Sequence, residues 1–403
     1  MAEAVQFVDL TLFNSGARGY SGTIFDGRYL YLAPLSNGKG VFHGEVARYD
    51  SEGDIQQSSS WSFFDTSAVN NNSRGFVDGF FDGRYLYLVP YHHDRHHGQV
   101  TRYDTYEAFD DPGAWAFFDL QEHVHEACRG FVSGSFDGRY LYLSPYHLDW
   151  ETHNGRMVRY DTQADFPNPE SWQSIDSQDL WPESRGFHSA VSAGGYTWFI
   201  PYVRENRDYH GLIVRNRQAE RFDDPVHWDA VDLAGFHPGA CGYVGGCFDG
   251  RYLYLAPYYN GHERHGLAAR LDTQKPFQEN QSWEFFDTTV VDTDSRGFFG
   301  AIPDGDYIYF LPHCKEEGIY HGQFSRYDRR LSFDDPAAWS VFDTSAVHPK
   351  SMGFMGGVVI SGHLVMAPYE TAPFDHSGLV ARLDLAESSV WRYEKLNDSS
   401  HVI

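Results

Sequence analysis

The chain has 403 residues with 56 acidic against 31 basic side chains, a formal net charge of −25, and such a surface repels nucleic acid and anionic membranes alike. Four cysteines, Cys128, Cys241, Cys247 and Cys314, form neither a disulfide framework nor a CxxC metal pattern and read as free thiols. The start, Met-Ala-Glu-Ala-Val-Gln-Phe-Val-Asp, has no basic stretch leading into an apolar core, and no run is long enough to cross a bilayer, so the expected location is cytoplasmic.

The first predicted element is the extended segment Val5-Gln6-Phe7-Val8-Asp9, which matches an outer strand seen again further on. A repeat then begins. Its marker glycine stands at Gly19, Gly75, Gly130, Gly186, Gly242, Gly297 and Gly353, always 55 or 56 residues apart. Repeats therefore begin near residues 18, 74, 129, 185, 241, 296 and 352 and run the whole length of residues 1–403.

The second copy displays the elements in order. Arg74-Gly75-Phe76 leads into strand A, and Asp82-Gly83 is a tight hairpin turn, because glycine takes positive φ without steric cost. Tyr85-Leu86-Tyr87-Leu88-Val89-Pro90-Tyr91 is strand B, His97-Gly98 opens strand C through Arg102-Tyr103-Asp104, and Trp115-Ala116-Phe117-Phe118-Asp119 is strand D. Asp110-Asp111-Pro112 predicts one capped helical turn between C and D, as do Asp223-Asp224-Pro225 and Asp334-Asp335-Pro336.

Seven four-stranded sheets each leave two apolar faces bare, and radial packing covers them. The expected fold is all-β, one seven-bladed propeller of four-stranded antiparallel blades closed by strands from the two termini. Trp391-Arg392-Tyr393-Glu394 matches strand D as Val5–Asp9 does, so both ends compete for the last outer place. On these motifs the chain resembles the seven-bladed β-propeller superfamily, without the Gly-His and Trp-Asp pairs of WD40 repeats or the double glycine of kelch. That resemblance implies a fold and no activity.

The seven copies act as an internal control. The strand C arginine and the strand D tryptophan occur in every copy and read as scaffold, the arginine in a hydrogen-bonded pair and the indole between blades. Near-invariant His-Gly (His43, His97, His210, His265, His321) reads the same way, with His153 and His376 one residue earlier in the two exceptions.

One face is expected to gather the Arg-Gly-Phe, Pro-Tyr and His-Gly motifs, and there the copies diverge. The arginine is kept as Arg18, Arg74, Arg129, Arg185 and Arg296 and replaced by Cys241 and Met352. These guanidinium groups are candidate binders of a carboxylate, phosphate or oxyanion. The alternative is pairing with the strand D aspartates (Asp9, Asp65, Asp119, Asp176, Asp232, Asp287, Asp343).

Tyr91, Tyr146, Tyr202 and Tyr258 follow Pro as candidate substrate or proton-exchange groups, and His313 replaces that phenol in the sixth copy. Inside strand A, His188 and Asp78 are the ionisable exceptions among small or apolar residues and the best catalytic candidates. The fourth copy loses its Asp-Gly-Arg turn and gains Trp198, a candidate pocket wall, while His123, His125, His237 and His348 are weaker loop candidates.

The expectation is one asymmetric small-molecule or carbohydrate site at the channel mouth, with non-redox acid–base chemistry of lyase, cyclase, isomerase or transferase type. No cofactor is required, although an axial histidine ring is compatible with a metal. The alternative is a lectin-like or protein-interaction propeller with repeated sites between blades. Oligomeric state is left open.

Overall fold

The computed structural model describes residues 4–386 and Trp391. Seven antiparallel four-stranded sheets stand in a ring, each in the order A-B-C-D. In the first blade these strands are Tyr20–Phe25, Tyr29–Pro34, Glu45–Asp50 and Trp61–Asp65. The A strands line the axis, and each touches the A strands on both sides, the first closing on the seventh. Among the described residues helical structure is confined to single turns, four of which begin Asp-Pro or Asn-Pro with the Asp or Asn side chain capping them. No helix there is long and apolar enough to cross a membrane.

The repeated residues each have a repeated job. At the Asp-Gly turn of blade two, Asp82 accepts the N–H groups of Arg84 (2.9 Å) and Tyr85 (2.7 Å) and the phenol of Tyr87 (2.7 Å), so one carboxylate fixes turn and strand together. The strand C arginine lies between two rings: Arg48 stands 4.4 Å from the Tyr29 centroid and 4.3 Å from Phe109 of the next blade. The guanidinium also reaches strand D, for example Arg215 to Asp229 (2.9 Å) and Arg270 to Glu284 (2.9 Å). The indole N–H of strand D donates to the carbonyl six residues back in all six blades that carry it, as in Trp115 to Phe109 (3.2 Å). Five of the seven seams between blades are thus filled by a Tyr–Arg–Phe stack beside the strand D tryptophan, whereas Arg382 in the seventh blade meets Gln6 and His363.

The ring is latched by the N-terminus. Val5–Asp9 pairs with strand C of blade seven, Leu379–Asp384, as its outer strand. Val5 faces Leu383 just as Trp61 faces Tyr49, which corrects the reading of Trp391 as a seventh strand D indole. With that slot already hydrogen-bonded, Trp391 fills the seam instead, 4.2 Å from the Arg326 guanidinium, in the place that Phe109 holds over Arg48. Arg392, Tyr393 and Glu394 lie outside the described residues.

Candidate functional site

The marker glycine builds the face that carries the divergent residues. Its φ lies between +66° and +73° in every blade, and a Cβ on it would come within 2 Å of the carbonyl oxygen two residues past the strand B proline. Only glycine lets the B-to-C loop fold back onto the D-to-A loop. Its N–H also donates to the carbonyl of the His-Gly residue in the preceding blade, as in Gly75 to His43 (3.0 Å) and Gly242 to His210 (3.2 Å). The imidazole of that motif lies against strand A of its own blade, edge-on to Tyr20 for His43 and to Phe187 for His210. His210 Nε2 lies 3.0 Å from the Arg185 carbonyl. His-Gly is blade-joining scaffold.

Folded back in this way, every B-to-C loop forms a short hairpin whose first cross-strand pair is Ser36/Phe42, His92/His96, His147/His153, Val203/Tyr209, Tyr259/Arg264, Cys314/Tyr320 or Glu370/His376. The second member of one pair meets the first member of the next around the axis. Phe42 packs on His92 (4.7 Å between ring centroids), His96 on His147 (5.1 Å) and Tyr209 on Tyr259 (4.7 Å). Tyr320 donates to Glu370, and His376 Nε2 lies 3.1 Å from the Ser36 hydroxyl. Sequence reasoning missed this ring. Its signal was available, since the residue before the His-Gly position is Phe42, His96, His153, Tyr209, Arg264, Tyr320 or His376, a ring side chain in every copy but the fifth.

Beneath the hairpins lies a packed layer that holds most of the expected catalytic residues. His188 is surrounded by Phe299 (4.9 Å), Tyr146 (5.4 Å) and Tyr202 (5.5 Å). His313 lies 5.0 Å from Phe299 and 5.9 Å from Tyr258. Burial lowers both imidazoles to about 3 and raises the phenols of Tyr146, Tyr202 and Tyr258, so all are neutral at pH 7. Leu35, Val77 and Val132, with Tyr91, Met355 and Tyr369 packed against them, continue the layer on the other side of the axis.

Asp78 is one residue further along strand A and faces the channel below. It accepts hydrogen bonds from the Ser133 hydroxyl (2.6 Å) and the Gly79 N–H (2.8 Å). Burial raises its carboxyl to about 6. The channel, about 530 Å³, is lined by the A strands. The structure thus brings His188, His313, Tyr146, Tyr202 and Tyr258 together and places Asp78 one step further down the axis, in the channel that His188 and Phe299 also line.

The five Arg-Gly-Phe arginines do not converge. Arg18 donates to the Ser15 carbonyl, Arg74 pairs with Asp94 (2.8 Å) and Arg129 donates to the Leu148 carbonyl. Arg185 pairs with Glu205 (2.6 Å) and Arg296 with Glu316 (3.4 Å). Each long side chain reaches an acceptor on its own loops. The strand D aspartates do not pair with these arginines either, because all seven accept the N–H two residues on and so cap the turn that follows. Trp198 is corrected too. It is 1% exposed in the core between blades four and five, its N–H on the Ala193 carbonyl (3.0 Å), and lines neither the channel nor the face. His125, His237 and His348 each accept an N–H two residues on and act as turn caps.

One further cation on this face was not singled out from sequence. Arg264 lies with its guanidinium 4.0 Å over Tyr258 and 5.0 Å from Tyr259. Its Nε and Nη1 are buried and have no hydrogen-bond partner, and among the described residues no carboxylate comes within 4.0 Å of it. It lines a cavity of about 460 Å³ between the hairpins of blades four, five and six, together with the rings of Tyr202, Tyr209 and Tyr259, the guanidinium of Arg207 and the carboxylates of Glu263, Glu316 and Glu317 at the rim. Of the other cations on its lining, Arg296 pairs with Glu316 and Lys315 with Asp294 (2.6 Å), while the exposed Arg207 has no carboxylate within 4.0 Å among the described residues. Among the described residues no group of three His, Cys, Asp or Glu side chains is arranged to hold a metal ion.

No protein-family model and no curated protein matches the chain. Among solved structures it is similar, over 94% of its length, to PorZ, an essential bacterial surface component of the type-IX secretion system of Porphyromonas gingivalis. The identity is 10% and the TM-score 0.46, and the match covers 38% of that longer chain. A likeness of that size carries no argument about activity, and the seven-bladed propeller rests on the sheets themselves.

Proposed function

We propose that the protein takes one small anionic molecule, bearing a carboxylate or phosphate, into the cavity between the hairpins of blades four to six and exchanges a proton with it through Tyr202. The observation that carries this reading is Arg264: a half-buried guanidinium on the cavity wall, stacked on Tyr258 and with no carboxylate within 4.0 Å among the described residues, offers its charge to an anion. Tyr202 lines the same cavity, and burial keeps its phenol protonated, the state required of a hydrogen-bond or proton donor. His313, neutral and one ring beyond Tyr258, supplies an acceptor within the same packed layer. Five of the seven seams are filled by the same Tyr–Arg–Phe stack, which supports one asymmetric site over seven equal ones between blades.

Calorimetric titration with a panel of small carboxylates and phosphate esters tests the reading, followed by NMR of the bound compound for turnover. One site per chain is expected, weakened at least tenfold by Arg264→Ala. Several equal sites per chain, or full affinity in Arg264→Ala, would defeat it. Tyr202→Phe is expected to retain binding and lose turnover.

A further inference from the structure

The axial channel is a separate cavity with its own chemistry. Its one carboxylate, Asp78, has no Lys, Arg or His within 4.0 Å among the described residues and is held only by Ser133 and the Gly79 N–H; the channel's one imidazole, His188, is kept neutral by burial. The carboxylate fits because blade one places Gly22 beside it: a Cβ there would lie 2.7 Å from the Asp78 Cα and 3.1 Å from Oδ1. At the same level of the ring Ser133 and Ser189 continue the polar arc, with hydroxyls 3.4 Å apart, while Gly245, Gly300 and Gly356 contribute no side chain and leave the axis open. Toward the Asp-Gly turns the wall is mainly apolar, with Phe80, Phe136, Phe248 and Ile302 beside the hydrogen-bonded pair Ser135 and Ser192. The channel therefore has an unpaired anion at its inner end and aromatic rings at its outer end.

We infer that the channel is a second binding site, for a primary ammonium group carrying a short apolar chain. The cation meets Asp78 and the neighbouring hydroxyls, and the chain lies along Phe80, Phe136 and Phe248, entering from the Asp-Gly face because the hairpin end is packed. A buried carboxylate without a partner gains most from an ion that brings its own charge and its own donors. A short aliphatic tail suits the apolar side chains of the outer wall. The three donors of an ammonium suit one carboxylate flanked by serines, whereas a transition metal needs a convergent ligand set that the described residues lack here.

Titration of the full chain with hexylammonium, hexanol and hexanoate, near pH 7.5 and near pH 5, is the test. Hexylammonium is expected to bind once per chain at the higher pH, at least tenfold tighter than hexanol, with hexanoate weakest. Binding drops about tenfold at the lower pH as the carboxyl, which titrates near 6, takes up its proton. Asp78→Asn should abolish the preference for the ammonium over the alcohol while its melting temperature holds, because the lost charge was unpaired. Equal affinity for amine and alcohol, an unchanged preference in Asp78→Asn, or no saturable hexylammonium binding would overturn the inference. Anion binding through Arg264 is read on the same variant and should be unaffected, so the two sites fail or stand separately.

Discussion

A β-carbon placed on Gly75 would sit 1.7 Å from the carbonyl oxygen of His92. The same glycine donates its N–H to His43 of the preceding blade and accepts from the N–H groups of Tyr91 and His92, so one residue joins two blades and folds a hairpin back. Gly75→Ala combines a φ of +73° with a backbone clash, and the expected loss is at least ~3 kcal/mol in urea unfolding. Gly83→Ala is the control. Its φ is +105° but nothing lies within 4 Å of the added carbon, so it should cost only about 1–2 kcal/mol. Similar losses for the two would mean the hairpin can simply move aside.

The strand C arginine can be dissected by comparing two blades. Arg270 stacks on Tyr252 (4.3 Å) and Phe333 (4.8 Å), pairs with Glu284 and donates to the Tyr327 hydroxyl (2.8 Å). Arg102 has the equivalent stack on Tyr85 (4.1 Å) and Phe166 (4.3 Å), but faces Ala116 on strand D. Arg102→Ala removes cation–π contacts, at about 1–2 kcal/mol. Arg270→Ala also strands a polar cluster and should cost roughly 3 kcal/mol. Equal losses would place the whole effect in the stacking.

Acid sensitivity follows from the His-Gly imidazoles. Burial lowers His43, His265 and His321 to about 4, whereas in the unfolded chain they titrate near 6.5. The unfolded state therefore binds more protons as pH falls, and stability present above pH 6.5 is lost on the way down to pH 4. Each group accounts for up to roughly 3 kcal/mol over that window. Blade three uses Asn154 in this place, its amide donating to the Ala127 and Arg129 carbonyls (both 2.9 Å). His265→Asn should therefore fold and shed about one proton from the acid unfolding transition, measured as the slope of stability against pH. An unchanged slope would mean that His265 is not neutral in the fold.

Repetition explains what was legible in the sequence. Arg48 and Trp61 meet the same neighbours in their own blade as their counterparts do in the others, so their scaffold role could be read from recurrence alone. Trp391 could not, because the strand that displaced it, Val5–Asp9, comes from the far end of the chain and leaves no local mark near residue 391. Arg18, Arg74, Arg129, Arg185 and Arg296 recur at the mouth, but recurrence carries no information about the direction of a long side chain, and each found a different acceptor. Asp78 and His188 stood out as ionisable residues on a lined axis; their separation by one layer depends on the alternation of side chains along strand A. Arg264 escaped notice because its position, a ring side chain in the other six copies, was not compared from copy to copy as the His-Gly beside it was.

That position offers a last prediction, in which stability and binding part company. Arg264 keeps two donors buried without partners, an arrangement that costs the fold and helps only a ligand. Arg264→Met preserves a side chain of similar reach over Tyr258 and removes the charge. Its melting temperature should equal or exceed that of the parent protein, while affinity for a small carboxylate or phosphate ester falls at least tenfold. Anion binding should stabilise the parent by a few degrees and leave the variant unmoved. A variant that melts lower in the absence of any anion would assign Arg264 to the scaffold, as the arginine that pins the fifth hairpin to Tyr258, and would remove the ground for an anion site on this face.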